Sequence, residues 1–128
     1  MIKHYLAGLA LACCTPLAMA DDPSPAYARC MDNASSTLAM GECLKAEMQV
    51  QDQRLNRVYK QLMNKLPADQ QKSLRDVQRK WLAYRDANCQ FHRTASGGTM
   101  AQLEGGTCLM DMTRERAAEL ERVLDPQR

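Results

Sequence analysis

Few side chains in this sequence could do chemistry, and their spacing argues against most kinds of site. After residue 20 the chain holds a single histidine, His92, three residues beyond Cys89 and on the same face of a helix. The two could share a metal ion, but structural zinc sites use cysteines in close pairs, and no such pair follows residue 20. We therefore predict no metal site.

Catalysis and cofactor binding find little support either. A serine or cysteine nucleophile needs a base beside it, and His92 is the one histidine available after residue 20. The acidic residues are spread over helix surfaces, and neither the Cys-x-x-Cys-His motif of haem attachment nor the Gly-x-x-x-x-Gly-Lys phosphate loop occurs. The sequence predicts a protein that is not an enzyme and binds no cofactor.

Net charge and composition limit the remaining classes of function and of fold. The 17 basic and 15 acidic side chains leave a net charge of +2, too little to favour nucleic-acid binding. A chain of 128 residues with 45% apolar and 5% aromatic residues is one domain at most, and its composition favours a compact helical fold.

The first twenty residues form a separate segment. A cationic start is followed by an apolar stretch from Leu6 to Ala18 and then by Ala18-Met19-Ala20, which is typical of a secretory signal peptide cleaved after Ala20. The stretch is shorter than the roughly 20 residues of a membrane span. An alternative is a lipoprotein, acylated at Cys13 or Cys14 of Leu11-Ala12-Cys13-Cys14. The predicted domain is residues 21–128, periplasmic or secreted.

Helical periodicity dominates that domain. From Leu38 to Leu66 the apolar residues recur at spacings of three, four or seven, as on one face of a long helix that begins after the N-cap candidates Ser35, Ser36 and Thr37. A second such helix should begin at Pro67 and end near His92 or Arg93. A short helical turn over 27–33 and a last helix over 108–124 complete an all-α bundle, with the two long helices as an antiparallel hairpin.

Four cysteines remain after the signal peptide, and in an exported chain they predict two disulfides. Three pairings are allowed, but the hairpin favours one. Cys43 lies 24 residues before Pro67 and Cys89 lies 22 after it. In an antiparallel hairpin that turns at Pro67, both should therefore lie at nearly the same level along the hairpin axis. We therefore expect Cys43 to pair with Cys89 and, by elimination, Cys30 with Cys108.

The periodicity stops between Thr94 and Thr107, where Gly97, Gly98, Gly105 and Gly106 gather. A loop of this length is uncommon in a compact domain unless it has a function or is disordered. We interpret it as a loop that presents binding residues from between two cysteines. The simpler interpretation is that it only connects two helices.

A family resemblance follows from residues spread along the domain. They are Cys43, Leu55-Asn56 with Tyr59, Gln78-x-x-Trp81-x-x-Tyr84-Arg85-Asp86-x-x-Cys89, Gly97-Gly98-Thr99, and Cys108 followed by Thr113-x-x-Arg116. This order resembles the LprI-type lysozyme-inhibitor domain and covers about Cys30 to Leu124. The resemblance implies an exported, disulfide-linked helical protein of the bacterial envelope that blocks lysozyme.

Several of these residues have a structural interpretation. Trp81 lies in the apolar stripe and is expected in the core, and Tyr59 and Tyr84 should be half-buried anchors. The polar members could form a binding face or a buried network between the second and last helices, and we favour the network; they are Gln78, Arg85, Asp86, Thr113 and Arg116. Arg85 and Asp86 should point apart, with Arg116 as the candidate partner of Asp86.

Two functions remain. In the first, the protein binds a lysozyme-type muramidase and plugs its catalytic cleft with the glycine-rich loop, using the donors and charges of His92, Arg93, Ser96, Gly97, Gly98 and Thr99. In the second, it is an envelope adaptor or an immunity protein that binds a secreted toxin through methionine-rich helix faces, which include Met31, Met40, Met48 and Met63.

Overall fold

A computed structural model describes residues 22–127, and within that range the chain forms four α-helices and no strand. They are α1 (Pro25–Asn33), α2 (Thr37–Lys65), α3 (Ala68–Ala95) and α4 (Gly98–Leu124). The predicted all-α, disulfide-linked fold is confirmed. The predicted signal peptide, residues 1–20, and the lipoprotein cysteines lie outside the described residues. None of the described helices is long and apolar enough to cross a membrane.

Local sequence sets where the first three helices begin. The hydroxyl of Ser24 accepts from the Tyr27 amide at 3.2 Å, and that of Ser36 accepts from the Ala39 amide at 3.1 Å. Such caps satisfy amide donors that have no partner within the helix. Pro67 occupies the N-cap of α3, where its missing N–H costs nothing.

The core lies where α4 packs against α2. Leu55, Val58 and Leu62 of α2 are buried against Ala117 and Leu120 of α4, and side chains of α3, Trp81 among them, pack onto this cluster. α4 contacts both α2 and α3, whereas α2 and α3 make few direct contacts with each other. The two long helices are therefore consecutive, but their common partner is α4.

This arrangement corrects the predicted disulfide pairing. Cys30 is bonded to Cys43 and Cys89 to Cys108, with Cα atoms 5.7 and 5.4 Å apart. The pairing of Cys43 with Cys89 assumed that α2 and α3 pack side by side. Because each of them packs on α4 instead, the cysteine of α2 faces α1 and the cysteine of α3 faces α4.

The predicted fourteen-residue loop is also wrong. α3 continues to Ala95 and α4 already begins at Gly98, so residues 96 and 97 are the whole connection. Gly105 and Gly106 lie inside α4 and meet neighbouring side chains closely: a Cβ on Gly105 would stand 2.8 Å from Arg93 Nε, and one on Gly106 would stand 3.5 Å from Leu44 Cδ1. Residues 100–104, Met-Ala-Gln-Leu-Glu, are good helix formers, and the helix continues through the two glycines that follow them.

Candidate functional site

The six residues predicted to bind a partner meet at one end of the bundle, where α3 passes into α4. We call residues 92–99 the tip. Its two central residues, Gly97 and Gly98, have φ of 67° and 68°, a backbone conformation that side-chain-bearing residues rarely adopt. Gly97 also has ψ of 170°, in a region that essentially only glycine occupies. The sharp reversal at the tip therefore depends on glycine.

The tip exposes the N-terminus of α4. Its N-cap residue is Gly97, which has no side chain to accept from the first-turn amides, and no acidic residue lies in that turn. The first amides of a helix lack partners within it and carry the positive end of the helix dipole. Thr99 lies in this first turn, and both Thr99 and His92, which is in the last turn of α3, are exposed. Chemically, this surface offers hydrogen-bond donors to an anion.

Two of the predicted donors are already engaged. The Ser96 hydroxyl donates to the carboxylate of Glu104 across the tip. Arg93 is half-buried over Gly105 and donates from Nη1 to Gln90 Oε1 at 3.2 Å. Both side chains hold the tip in shape, so the outward-facing donors are those of His92, Thr99 and the α4 backbone.

A disulfide holds the two helices together close to the tip. Cys89 is 1% exposed, and its bond to Cys108 is surrounded by α3 and α4 side chains. The Asn88 amide lies 3.6 Å from Cys108 Sγ, and Met112 Sδ lies 3.7 Å from Cys89 Sγ. The tip is thus a short turn on a crosslinked helix pair.

An apolar groove adjoins the tip, between the first halves of α2 and α4. We use this name for a cavity of about 490 Å³ walled mainly by Leu38, Leu44 and Met48 of α2 and by Leu103 and Leu109 of α4. Thr99 belongs to both the tip and the groove. Leu38 is 77% exposed at the groove edge. Sequence reasoning missed the groove because its residues follow the same periodicity as residues of the core.

The polar residues of the resemblance join α3 to α4. Arg85 Nη1 donates to Thr113 Oγ1 at 3.1 Å, and Arg116 Nε donates to Gln78 Oε1 at 3.1 Å. The two guanidinium carbons lie 5.2 and 5.8 Å from the centre of the half-buried Trp81 ring. Thr113 and Arg116 are buried, so these contacts belong to the helix packing.

Three expectations about this region were wrong. Arg85 does contact Asp86, with Nη2 2.8 Å from Oδ1, because its long side chain reaches around to the neighbouring carboxylate. Arg116 pairs with Glu119 at 2.7 Å, one turn along α4, instead of with Asp86. Tyr84 is 62% exposed, since the face of α3 on which it lies is not covered; Tyr59 is half-buried as expected.

A buried carboxylate fastens the N-terminal helix. Glu47 is 2% exposed and accepts hydrogen bonds from the amide and hydroxyl of Ser24 and from Gln51 Nε2. Burial alone would raise the pKa of Glu47, but these hydrogen bonds and the charge of Arg114 outweigh it and hold the pKa below its ordinary value of 4.5. Nothing in the helical pattern distinguishes Glu47 from exposed acids, so the sequence did not reveal it.

No group of three or more histidine, cysteine or acidic side chains within residues 22–127 could hold a metal ion. Cys89, the predicted neighbour of His92 in such a site, is bonded to Cys108.

Comparison with known proteins gives a family and one distant relative. The family model described as "Lysozyme inhibitor LprI" matches residues 30–120, a range that includes both disulfides, the tip and the walls of the apolar groove. The chain is 28% identical over 129 aligned residues, 90% of either chain, to "Uncharacterized protein R02472" of Rhizobium meliloti (strain 1021). No solved structure matches at the same level of significance.

Proposed function

Because the chain belongs to the lysozyme inhibitor LprI family, we propose that it is an exported binding protein that inhibits a lysozyme-type muramidase by inserting its tip into the catalytic cleft. Export rests on the signal-peptide pattern of residues 1–20 and fits two disulfides, which persist in oxidising compartments. The protein acts as a ligand for the enzyme and takes no part in the chemistry.

The observation that carries the proposal is the open N-terminus of α4. A glycosidase cleft holds two carboxyl groups that flank the bond to be cleaved. An ionised carboxylate is stabilised by amide donors and by the positive end of a helix dipole. α4 offers both at an exposed turn without an acidic residue in its first turn, and the Thr99 hydroxyl and His92 ring add donors.

Rigidity favours tight binding by the same surface. The reversal at Gly97 and Gly98, the hydrogen bond between Ser96 and Glu104, and the Cys89–Cys108 disulfide fix the shape of the tip before any partner is bound. A preformed binding surface loses less conformational entropy on docking than a flexible loop does.

A negatively charged substitution at the tip should have opposite effects on inhibition and on the stability of the fold. In Thr99→Glu a carboxylate enters the first turn of α4, where it should stabilise the helix by about 0.3–1 kcal/mol. In a cleft lined by carboxylates the same charge is repelled, so inhibition should weaken by about tenfold or more. Inhibition is measured as cell-wall lysis by lysozymes of several types, and stability is measured by thermal unfolding.

The matched control is Ala68→Glu, which adds the same charge to the first turn of α3, at the other end of that helix from the tip. It should leave inhibition unchanged. If Thr99→Glu inhibits as well as the unmodified protein, the tip is not the part that enters the cleft. If the unmodified protein inhibits no lysozyme of the panel, the proposed function is refuted.

A second function draws on the apolar groove. An envelope adaptor, or an immunity protein against a secreted toxin, would bind its partner through an apolar helix face, and Met48 contributes an adaptable side chain to the groove wall. Failure of the lysozyme panel together with recovery of a single envelope partner that His92→Glu still binds would favour this function, because His92 belongs to the tip but does not line the groove.

A further inference from the structure

The tip is too small to account for a stable complex by itself. A specific protein interface buries roughly 800 Å² and about 20–30 residues on each side. The tip supplies six predicted contact residues, and the side chains of Arg93 and Ser96 are already engaged within the protein. An inhibitor that enters a cleft through this turn must therefore also use the surface beside it.

The adjoining surface with the shape of a binding site is the apolar groove. It shares Thr99 with the tip, so one partner can contact both without a gap. Leu38 at its edge is 77% exposed, although a leucine is usually buried. Its volume of about 490 Å³ is of the size that protein pockets use to enclose apolar groups.

The charges around the groove indicate what kind of group it accepts. Its lining includes one acidic residue, Glu42, and one basic residue, Lys45, and its other residues are uncharged types. The floor is made of leucine and methionine side chains, and burying a charged group there without a partner would be costly. An uncharged apolar side chain suits the groove best.

We infer that the apolar groove binds an exposed, uncharged apolar segment of the same muramidase, beside the catalytic cleft, and that this contact determines which muramidases are inhibited. The inference rests on the proposed function. The tip would contact the catalytic carboxylates, which all such enzymes share. The groove would contact a surface segment that can differ from one enzyme to another. Apolar side chains in water-excluding pockets dominate the binding energy of many interfaces.

Gly41 allows the groove to be filled without damage to the fold. It lines the groove within α2, and a Cβ placed on it would meet no atom within 4 Å. In Gly41→Met the side chain should occupy the groove, while the melting temperature stays the same or rises because glycine is a poor helix former. The dissociation constant for an inhibited lysozyme, measured by calorimetry, should increase about tenfold or more.

Ala46→Met is the matched control, since Ala46 is exposed on the same helix and does not line the groove. Its affinity should equal that of the unmodified protein. Equal affinity of Gly41→Met would overturn the inference about the groove; if Thr99→Glu still loses inhibition, the proposed role of the tip stands. Absence of binding by the unmodified protein to every lysozyme tested would refute both.

A second copy of the chain is the competing occupant. Sedimentation of the unmodified protein and of Gly41→Met distinguishes the two cases. A monomer in both supports a muramidase as the occupant. A dimer that Gly41→Met dissociates would make the groove a self-association surface and overturn the inference.

Discussion

Two pairs of adjacent glycines lie close together in the sequence but differ in their structural roles. At Gly97–Gly98 the backbone has positive φ, and a Cβ at either position would meet no atom within 4 Å. Glycine is needed there for the backbone conformation, which reverses the chain at an exposed site.

Gly105 and Gly106 have ordinary helical backbone within α4, and at Gly105 the space beside the helix is too small for a side chain. A Cβ on Gly105 would stand 2.8 Å from Arg93 Nε and 3.0 Å from Arg93 Cβ. The absence of a side chain lets α3 and α4 approach each other beside the Cys89–Cys108 disulfide. Gly105 therefore lowers the helical propensity of this segment of α4 but permits close packing against α3.

The comparison teaches that clustered glycines do not by themselves indicate a loop. Gly97 and Gly98 form the turn of the tip, whereas Gly105 lets α4 pack closely against Arg93 of α3. Alanine substitutions separate the two roles, since alanine restores helical propensity where φ is negative but is strained where φ is positive.

The largest effect is expected at Gly105. In Gly105→Ala the new Cβ forces Arg93 or the helix backbone to move, because Arg93 Cβ lies close to its own main chain and cannot swing away. Overpacking of this kind destabilises by about 1–3 kcal/mol. Urea unfolding measures the change. Adding Arg93→Ala should restore part of the stability, and a Gly105→Ala variant more stable than the parent would refute the packing role.

Gly97→Ala should destabilise by about 1–2 kcal/mol, because alanine is strained at positive φ. The strain can distort the tip, so inhibition of lysozyme should also fall, whereas Gly105→Ala should affect stability more than inhibition. Both quantities are measured on the same preparation. Unchanged stability and inhibition in Gly97→Ala would show that the turn does not require glycine.

Gly106→Ala should give the smallest change, and of the opposite sign. Its Cβ would lie 3.5 Å from Leu44 Cδ1, an ordinary contact distance. Replacing a helical glycine should then stabilise the protein by about 0.5–1 kcal/mol. Gly41→Ala is the reference, since its Cβ meets open space. If Gly106→Ala is destabilising while Gly41→Ala is stabilising, α2 and α4 lie closer together than this spacing allows.

Much of the fold could be predicted because local patterns encode it. The periodicity from Leu38 to Leu66 corresponds to α2, Pro67 stands at the start of α3, and Ser36 caps α2. These features depend on interactions within a few residues of one another. The same reasoning placed the end of α3 two or three residues early and the start of α4 ten residues late, at Cys108 instead of Gly98.

The candidate site was harder to predict, because it depends on which helices are neighbours. The residues of the tip were named from the sequence, but as part of a long loop. The apolar groove and the buried Glu47 were not identified, since Leu38, Leu103 and Glu47 have the spacing of ordinary helical residues. The pairing of Cys43 with Cys89 failed for the same reason: the positions of residues along two helices do not show which other helix each of them packs against.

The sequence by itself determined that this chain is helical and that four cysteines follow residue 20, enough for two disulfides. Those properties follow from side-chain type and local spacing. Only the tertiary structure decided that α4 packs against both long helices, which cysteines meet, and which glycines turn the chain or let helices approach. Such choices depend on contacts between residues distant in sequence, and the energy of those contacts outweighs the local preference of glycine to end a helix.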